Sequence, residues 1–332
     1  MERLTVLGAG SWGTTLAEIL AQKGHEVTLW VRNAGLCRAI SENSENEQYL
    51  PGVKLSRSLR PTASLEEALK NARFIVSVIP SHGLREVFTK AYPFISEDAV
   101  IVSATKGIEE GTLLTACGVL KEVLAGKKYK DITVLSGPSF AKEVSVKLPA
   151  AVSAASASHE CANLVQNAFS TPYFRVYTNS DVIGVELGGA LKNVIAIAAG
   201  ISDGLSLGHN ARAALITRGL AETSRLGIKM GANPLTFSGL SGLGDLILTC
   251  TAPLSRNYTV GFQIGEGRKL KDITGGMKMV AEGVKTSRAA KDLARANGVN
   301  MPITEEVCKV LYEGKDPRDA VLELMMRELK GE

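Results

Sequence analysis

The stretch of sequence that decides the fold is Gly8-Ala9-Gly10-Ser11-Trp12-Gly13, a G-x-G-x-x-G motif near the start of the chain. It follows a β-rich run at residues 4–7 and precedes a helical pattern at residues 14–23, after which residues 25–31 predict a second strand. In this context the first glycine allows a tight turn, the second lets the backbone approach a pyrophosphate, and the third lets helix and strand pack closely. The helix start presents N–H groups and the positive end of its dipole to phosphates. The motif therefore predicts a dinucleotide-binding site.

The residues after the second strand bear on which dinucleotide binds. Sites selective for NAD usually place a carboxylate here, about 20 residues beyond the motif, where it holds the ribose hydroxyls. This chain has Arg32 followed by Asn33 instead. A guanidinium favours the 2′-phosphate of NADP, so we expect NADPH to be preferred and NADH still to bind. The alternative is that Arg32 is an ordinary exposed arginine at the end of a strand.

Strand and helix patterns alternate through the first half of the chain. Residues 74–79 are continuously apolar and are followed by Pro80, as expected for a strand buried on both faces. The other expected strands are residues 100–103, 132–135, 150–154 and 173–177, and the expected helices are residues 64–70, 82–91, 112–124 and 158–168. Strands separated by helices predict right-handed βαβ units, a mostly parallel sheet and an α/β N-terminal domain of Rossmann type.

The pattern changes after about Asp181, where long helical segments replace the strands. These helices are expected at residues 182–202, 210–226, 256–265, 281–297, 304–312 and 317–330. We therefore predict a dinucleotide-binding domain at residues 1–180 and an all-α substrate domain at residues 181–332. A chain of 332 residues is longer than one hydrophobic core usually supports, which also favours two domains.

Composition and charge exclude several classes of protein. Apolar residues make up 45% and charged residues 22%, a balance that excludes a disordered chain. Aromatic residues are only 5% and the net charge is +4, so we expect no nucleic-acid partner, and the mild positive charge suits a small anionic ligand. The five cysteines form no C-x-x-C pair, which is typical of reduced thiols in a cytoplasmic protein. Isolated histidines and short apolar runs predict neither a metal site nor a membrane anchor.

One lysine stands alone in an apolar segment. Lys192 is the only charged residue between Glu186 and Asp203. A helix that is apolar on nearly every face is normally buried, and a lysine is rarely buried without a partner or a task. A partly buried lysine has a lowered pKa and can exchange a proton with a hydroxyl or carbonyl oxygen. The pattern leaves two interpretations open, a catalytic Lys192 and a lysine whose head group reaches solvent from a partly covered helix.

Two later segments supply further polar groups. Residues 239–245 form a glycine-rich segment that ends in Asp245, and we expect a turn there. The sequence Ser255-Arg256-Asn257 follows Pro253 and opens a predicted helix, with Ser255 placed to cap it. A helix start that carries an arginine and an asparagine suits a phosphate, and ordinary capping is the alternative.

Together these stretches resemble bacterial NAD(P)-dependent glycerol-3-phosphate dehydrogenases, from the glycine motif to the C-terminal helices. The combination is specific, although no single stretch is. The matching stretches are residues 8–13, 103–107, 136–141, 189–193, 210–219, 242–246, 255–257 and 281–283. The resemblance implies reversible hydride transfer between sn-glycerol 3-phosphate and dihydroxyacetone phosphate, and a role in supplying glycerol 3-phosphate for phospholipid synthesis.

The resemblance also implies roles for individual residues. Lys192 matches the lysine that accepts the proton of the substrate hydroxyl, and it contacts substrate as well. The other positions that match substrate contacts are Lys106, Gly137, Ser139, Asp245, Ser255, Arg256 and Asn257. The positions that match cofactor contacts are Gly8, Gly10, Ser11, Trp12, Gly13, Arg32, Asn33, Lys106, Ala141, Arg256, Val280 and Glu282.

One residue departs from the family pattern, and two other functions stay open. His209 stands where an acidic residue is expected, and because it precedes a predicted helix we interpret it as a variation in capping. A β-hydroxyacid dehydrogenase would share the two-domain plan but bind a carboxylate instead of a phosphate. A nucleotide-binding sensor without chemistry would have little use for Lys192 and Asp245 together. The sequence leaves homodimer formation open.

Overall fold

A computed structural model of the chain describes residues 3–276, 281–329 and 331. The chain divides into two units, one of residues 1–106 and 115–182, the other of residues 107–114 and 183–332. The segment 107–114 belongs to the second unit because Ile108 and Leu113 pack into the core of that unit. The domain boundary near residue 181 stays a prediction.

The first unit is built on an eight-stranded sheet within the described residues. Its strands are β1 (Arg3–Leu7), β2 (Glu26–Trp30), β3 (Leu59–Thr62), β4 (Phe74–Ser77), β5 (Val100–Ser103), β6 (Asp131–Ser136), β7 (Ala150–Ala155) and β8 (Phe174–Asn179). Their order is β3-β2-β1-β4-β5-β6-β7-β8, and each neighbouring pair is parallel except β6 and β7. The predicted α/β fold with a mostly parallel sheet is confirmed.

Helices connect these strands. They are α1 (Ser11–Gln22), α2 (Ala34–Asn43), α3 (Leu65–Leu69), α4 (Ser81–Ala91), α5 (Ala116–Val123), α6 (Ala141–Ser145) and α7 (His159–Phe169), with a 3₁₀ turn at Tyr92–Phe94. The sequence patterns missed β3, α2 and the short helix α6. Strand β3 lies at the edge of the sheet and contains Pro61, which an edge strand tolerates but which weakens the strand pattern. Helix α2 buries only Ile40, so it lacks a continuous apolar stripe.

The described part of the second unit is helical, as predicted. Its helices are α8 (Val182–Gly204), α9 (Gly208–Lys229), α10 (Asp245–Thr251), α11 (Arg256–Gly265), α12 (Leu270–Gly275), α13 (Glu282–Ala296), α14 (Pro302–Tyr312) and α15 (Pro317–Met325), with a 3₁₀ segment at Pro234–Ser238. The turn predicted at residues 239–245 is wrong, because Leu240–Gly244 is a π-helical turn that continues into α10. Glycine is needed there for packing, since a Cβ on Gly242 would lie 2.2 Å from the carbonyl oxygen of Phe237.

Helix α8 runs through the interior of the second unit. Its apolar side chains, among them Leu187, Leu191 and Val194, belong to the core of that unit. Among the described residues it is the one helix whose length and composition would allow it to cross a membrane, and 89% of its apolar window is buried inside the protein. Core helices of water-soluble proteins pass the same test, so the helix is weak evidence for a membrane span.

Candidate active site

The glycine motif forms a tight connection between β1 and α1. Gly8 has φ of +114°, and a Cβ there would lie 2.8 Å from the carbonyl oxygen of Val78. A Cβ on Gly13 would lie 1.8 Å from the carbonyl oxygen of Gly8, so only glycine allows the strand and the helix to approach this closely. Gly10 differs from both, because a Cβ there would meet no protein atom within 4 Å. The protein's own packing requires Gly8 and Gly13, whereas the open side of Gly10 suits a ligand that approaches the backbone.

The N-terminus of α1 is suited to an anion. Gly10 is its N-cap, no side chain caps the helix, and its first turn carries no acidic residue. Asn46 stabilises this turn. Its buried side-chain amide donates to the carbonyl oxygen of Ala9 at 2.9 Å and to Thr14 Oγ1 at 2.8 Å. Asn46 was not predicted from the sequence, because it lies between the expected elements and carries no local signal. The residues present fit the pyrophosphate of a dinucleotide.

The loops after the central strands open on one edge of the sheet. Strands β1, β4, β5 and β6 are parallel neighbours, so the segments that follow their carboxyl ends lie side by side. The order reverses between β1 and β4, which is where open α/β sheets bind their ligands. Thr105 Oγ1 donates to the carbonyl oxygen of Ile79 at 2.8 Å and ties two of these loops together. Lys106 directly follows this threonine, so the proposed contact residue stands at that edge.

Two further predicted segments of the first unit have defined local structure. Gly137 has φ of +152°, and a Cβ there would lie 2.8 Å from the Cα of Val152, so the position requires glycine. Ser139 Oγ donates to the carbonyl oxygen of Gly137 at 2.9 Å. Ala141 begins α6, and its carbonyl oxygen accepts from Thr15 Oγ1 on α1 at 3.3 Å. The structure therefore brings Ala141 beside the helix that follows the glycine motif.

Arg32 and Asn33 lie just beyond the end of β2. Arg32 is exposed. Asn33 caps α2, since its Oδ1 accepts from the backbone N–H of Leu36 at 2.9 Å. The exposed guanidinium is placed where the adenosine ribose of a dinucleotide lies in folds of this type. Contact of either residue with a cofactor stays a prediction.

Lys192 is buried and paired in the second unit. The residue is 7% exposed, and its Nζ donates to Asp245 Oδ1 at 2.5 Å and to Thr249 Oγ1 at 2.8 Å. Asp245 is 1% exposed, so this ion pair is removed from water. The interpretation of Lys192 as a lysine that reaches solvent is wrong. Thr249 was not predicted, although its position one helical turn after Asp245 was a usable signal.

The start of α11 is also built as expected. Ser255 is its N-cap, and the serine Oγ accepts from the backbone N–H of Tyr258 at 3.2 Å. Arg256 is the first residue of the helix and is partly exposed to solvent. The protein surrounding its guanidinium nevertheless lowers the pKa of Arg256 by desolvation, and the negative charge of Glu282 raises it. The prediction that Ser255 caps a helix bearing an arginine is confirmed; phosphate binding there stays a prediction.

Asn257 joins three helices. Its Nδ2 donates to Asn193 Oδ1 on α8 at 2.9 Å, and its Oδ1 accepts from the backbone N–H of Gly283 on α13 at 2.9 Å. A Cβ on Gly283 would lie 2.5 Å from the carbonyl oxygen of Asn193, so these elements are in close contact. Because Asn193 follows Lys192, the second unit gathers Lys192, Asp245, Arg256, Asn257 and Glu282 on adjoining elements. Val280 lies outside the described residues.

His209 does not have the capping role that the sequence suggested. It is the second residue of α9, and Leu207 occupies the N-cap position without a side-chain cap. The ring Nδ1 of His209 lies 2.8 Å from Arg212 Nη2, and Arg212 Nη1 donates to Asp203 Oδ2 at 2.7 Å. The histidine therefore belongs to a side-chain network that joins the end of α8 to the start of α9.

A cavity of about 480 Å³ lies elsewhere in the second unit. Its walls include Ile201, Leu215 and Leu324, and they include neither Lys192 nor Arg256. Glu222 also lines it, with Oε1 accepting from the backbone N–H of Ile303 at 2.7 Å. Burial raises the pKa of the Glu222 carboxyl to about 7, against the opposing effect of the Ile303 and Thr304 backbone N–H groups. The cavity is a separate feature from the candidate active site.

Comparisons with known proteins agree with this architecture. The family model described as the NAD-dependent glycerol-3-phosphate dehydrogenase N-terminus matches residues 3–162, and the model of the C-terminus matches residues 181–322. A protein of Citrifermentans bemidjiense named glycerol-3-phosphate dehydrogenase (NAD(P)+) is 56% identical over 331 residues, covering 100% of this chain and 99% of its own length. A protein of Geobacter sulfurreducens with the same name is 57% identical over 331 residues, with the same coverage. The crystal structure of glycerol-3-phosphate dehydrogenase from Coxiella burnetii has a TM-score of 0.94 at 41% identity and covers 98% of this chain and 99% of that one.

Proposed function

The chain belongs to the NAD-dependent glycerol-3-phosphate dehydrogenase family, and from that premise we propose that it interconverts sn-glycerol 3-phosphate and dihydroxyacetone phosphate by hydride transfer with NADPH or NADH. The observation that carries the proposal in the structure is the buried ion pair between Lys192 and Asp245. A carboxylate and a hydroxyl hold this buried ammonium in place, and an ammonium positioned in this way can exchange a proton with a substrate oxygen.

The first unit binds the cofactor. The open side of Gly10 and the uncapped N-terminus of α1 accommodate the pyrophosphate, and Ser11, Trp12 and Ala141 lie around that turn. When bound, the nicotinamide supplies or accepts the hydride. Arg32 holds the 2′-phosphate of NADP and makes NADPH the preferred cofactor, with Asn33 and Lys106 as further contacts.

Lys192 exchanges a proton with the substrate oxygen. When dihydroxyacetone phosphate is reduced, the carbonyl carbon gains a hydride and the carbonyl oxygen gains a proton from the Lys192 ammonium. The neutral amine then recovers a proton from water, which balances the reaction. Asp245 and Thr249 hold Nζ in one place, and the negative charge of Asp245 offsets part of the cost of burying the ammonium.

The start of α11 binds the substrate phosphate. Arg256 offers a guanidinium at the helix N-terminus, where the dipole also favours an anion, and Ser255 and Asn257 complete the site. Lys106, Gly137 and Ser139 are further proposed contacts of the substrate. A phosphate held in this way orients the carbinol carbon, so its binding energy contributes to turnover as well as to affinity.

The cellular role follows from the same reaction. We propose that the protein is cytoplasmic, since all five cysteines are free thiols and four of them are buried. Glycerol 3-phosphate formed there supplies phospholipid synthesis. The partners are small molecules, with no nucleic acid and no stable membrane anchor, and a homodimer is compatible with the proposal.

A direct assay tests the function. The purified protein is mixed with NADPH, dihydroxyacetone phosphate is added, and loss of NADPH and formation of glycerol 3-phosphate are followed. We expect oxidation that depends on this substrate, and a Lys192→Ala preparation made in parallel excludes activity from a contaminating enzyme. Oxidation of NADPH with a β-keto acid but not with dihydroxyacetone phosphate would establish the β-hydroxyacid alternative.

A further inference from the structure

Helices α8 and α11 touch through their backbones. A Cβ on Gly200 of α8 would lie 2.1 Å from the carbonyl oxygen of Tyr258, and a Cβ on Gly261 of α11 would lie 2.0 Å from the carbonyl oxygen of Ile197. No side chain fits between the helices at these points. The first turns of α11 therefore have a closely defined position against α8, the helix that carries Lys192.

A side-chain network reinforces the same contact. Tyr258 donates its hydroxyl proton to Asp203 Oδ2 at 2.7 Å, and Arg212 Nη1 donates to the same oxygen at 2.7 Å. Asp203 lies in the last turn of α8, Tyr258 in the first turn of α11 and Arg212 in the second turn of α9. One carboxylate oxygen thus joins three helices.

The phenol of Tyr258 keeps its proton at neutral pH. Desolvation, together with the hydrogen bond to Asp203 and the negative charge of that carboxylate, raises the pKa of Tyr258 to about 12. Arg212 acts in the opposite direction and does not cancel this shift. The hydrogen bond from Tyr258 to Asp203 is therefore maintained throughout the pH range in which the enzyme would operate.

These contacts lie next to the candidate phosphate site at the start of α11. Tyr258 stands two residues after Arg256, and Asn257 between them is bonded to Asn193 on α8. The first turn of α11 is thus held to α8 at two levels, near Lys192 through Asn193 and about three helical turns further along through Asp203. Removing the hydrogen bond to Asp203 leaves the backbone contacts at Gly200 and Gly261 in place, so we expect a small shift of the first turn of α11, and of Arg256 with it, and no separation of the helices.

We propose that Tyr258 and Asp203 are positioning residues that set the place of the Arg256 guanidinium relative to Lys192 Nζ, and so the enzyme's preference for a phosphorylated substrate. The inference rests on the proposed function. Neither residue contacts the reacting atoms in this proposal; each acts through the orientation of α11.

The test compares Tyr258→Phe with a matched variant, Tyr312→Phe. Tyr312 also donates its hydroxyl to a protein acceptor, the carbonyl oxygen of Val284, within the same unit. For both variants and the parent, kcat and KM are measured with dihydroxyacetone phosphate and with unphosphorylated dihydroxyacetone. Arg256→Ala sets the scale of the loss when the guanidinium is absent.

We expect Tyr258→Phe to lower kcat/KM for dihydroxyacetone phosphate by roughly 10- to 100-fold, as misplacement of a binding group on an ångström scale does. Its kcat/KM for dihydroxyacetone should fall much less, since that substrate has no phosphate to lose contact with, and any effect through the cofactor contact of Arg256 would lower both substrates alike. Tyr312→Phe should leave the ratio between the two substrates unchanged. Asp203→Asn, measured by the same two-substrate ratio, provides a second variant if Tyr258→Phe does not fold.

Two outcomes overturn the inference while leaving the proposed function intact. One is an unchanged substrate ratio in Tyr258→Phe and in Asp203→Asn, with parental activity on dihydroxyacetone phosphate. The other is an equal loss on both substrates, which would assign Tyr258 to general stability. Absence of activity on dihydroxyacetone phosphate in the parent protein would instead overturn the proposed function itself.

Discussion

Lys192 Nζ lies 2.5 Å from Asp245 Oδ1, although the two residues are 53 positions apart in the chain. Both are almost completely buried, and a buried ion pair of this kind costs desolvation energy that its mutual attraction only partly offsets. Retaining such a pair in an otherwise apolar helix indicates chemistry more than stability.

Replacing Lys192 removes the proposed proton-exchanging group. Lys192→Ala should lower kcat for reduction of dihydroxyacetone phosphate by roughly 10²- to 10⁴-fold, the usual contribution of a general acid or base. NADPH affinity should be retained, because the cofactor-binding residues of the first unit are unchanged. Lys309→Ala, which removes a lysine from a 2.6 Å ion pair with Glu306 in the same unit, is the control and should keep parental turnover. Parental turnover in Lys192→Ala would refute the catalytic assignment.

Cofactor preference should depend on Arg32. Arg32→Asp replaces a charge-assisted contact to the 2′-phosphate by electrostatic repulsion, so kcat/KM with NADPH should fall much more than with NADH. Arg38, which is exposed on α2, provides the matched control Arg38→Asp. The ratio of kcat/KM for the two cofactors is the measurement. If both variants give the parental ratio, Arg32 is an ordinary surface residue.

The glycines of the motif should separate stability from cofactor binding. Gly13→Ala places a Cβ 1.8 Å from the carbonyl oxygen of Gly8, and we expect overpacking of this kind to cost about 1–3 kcal/mol of unfolding free energy. Gly10 has φ of −71° and no protein atom near its Cβ position, so Gly10→Ala should fold with parental stability. Its NADPH affinity should nevertheless fall. Thermal unfolding and NADPH titration of both variants measure the two effects, and unchanged affinity in Gly10→Ala would place the pyrophosphate elsewhere.

Stability should depend on pH through Glu222. Burial raises the pKa of this carboxyl to about 7, above its ordinary value of 4.5, so the folded protein binds the proton more tightly than the unfolded chain. The free energy of unfolding should therefore fall as pH rises from about 4.5 to about 7, by up to about 3 kcal/mol. This contribution should vanish in Glu222→Gln.

Denaturation midpoints measured across that pH range, for the parent and for Glu222→Gln, check this expectation. Glu266→Gln removes an exposed carboxyl from the same unit and should retain the parental pH dependence. An identical pH dependence in the parent and in Glu222→Gln would show that the pKa of this carboxyl is the same in the folded and unfolded states.

Much of the first unit was predictable from local sequence. The motif from Gly8 to Gly13, the apolar strands and the intervening helices determine the α/β fold, because a parallel sheet buried on both faces requires continuous apolar strands and covering helices. Strand β5 was predicted with its observed bounds. The patterns failed at β3, an edge strand containing Pro61, and at α2, which buries only Ile40. Neither element is covered by the core on both sides, so neither needs the continuous apolar pattern that makes the central strands recognisable.

The sequence by itself determined that Lys192 would lie in an apolar helix and that Ser255 would cap the helix that begins at Arg256. Apolar periodicity and capping residues act within a few positions of the chain, so they can be recognised locally. Only the tertiary structure decided that Lys192 pairs with Asp245 and Thr249, and that Tyr258 donates to Asp203. It also decided that the glycines before Asp245 form a π-helical segment continuous with α10 instead of a separate turn. These outcomes depend on which helices come into contact and at what distance, and that packing is set by the whole core of the unit rather than by any one segment.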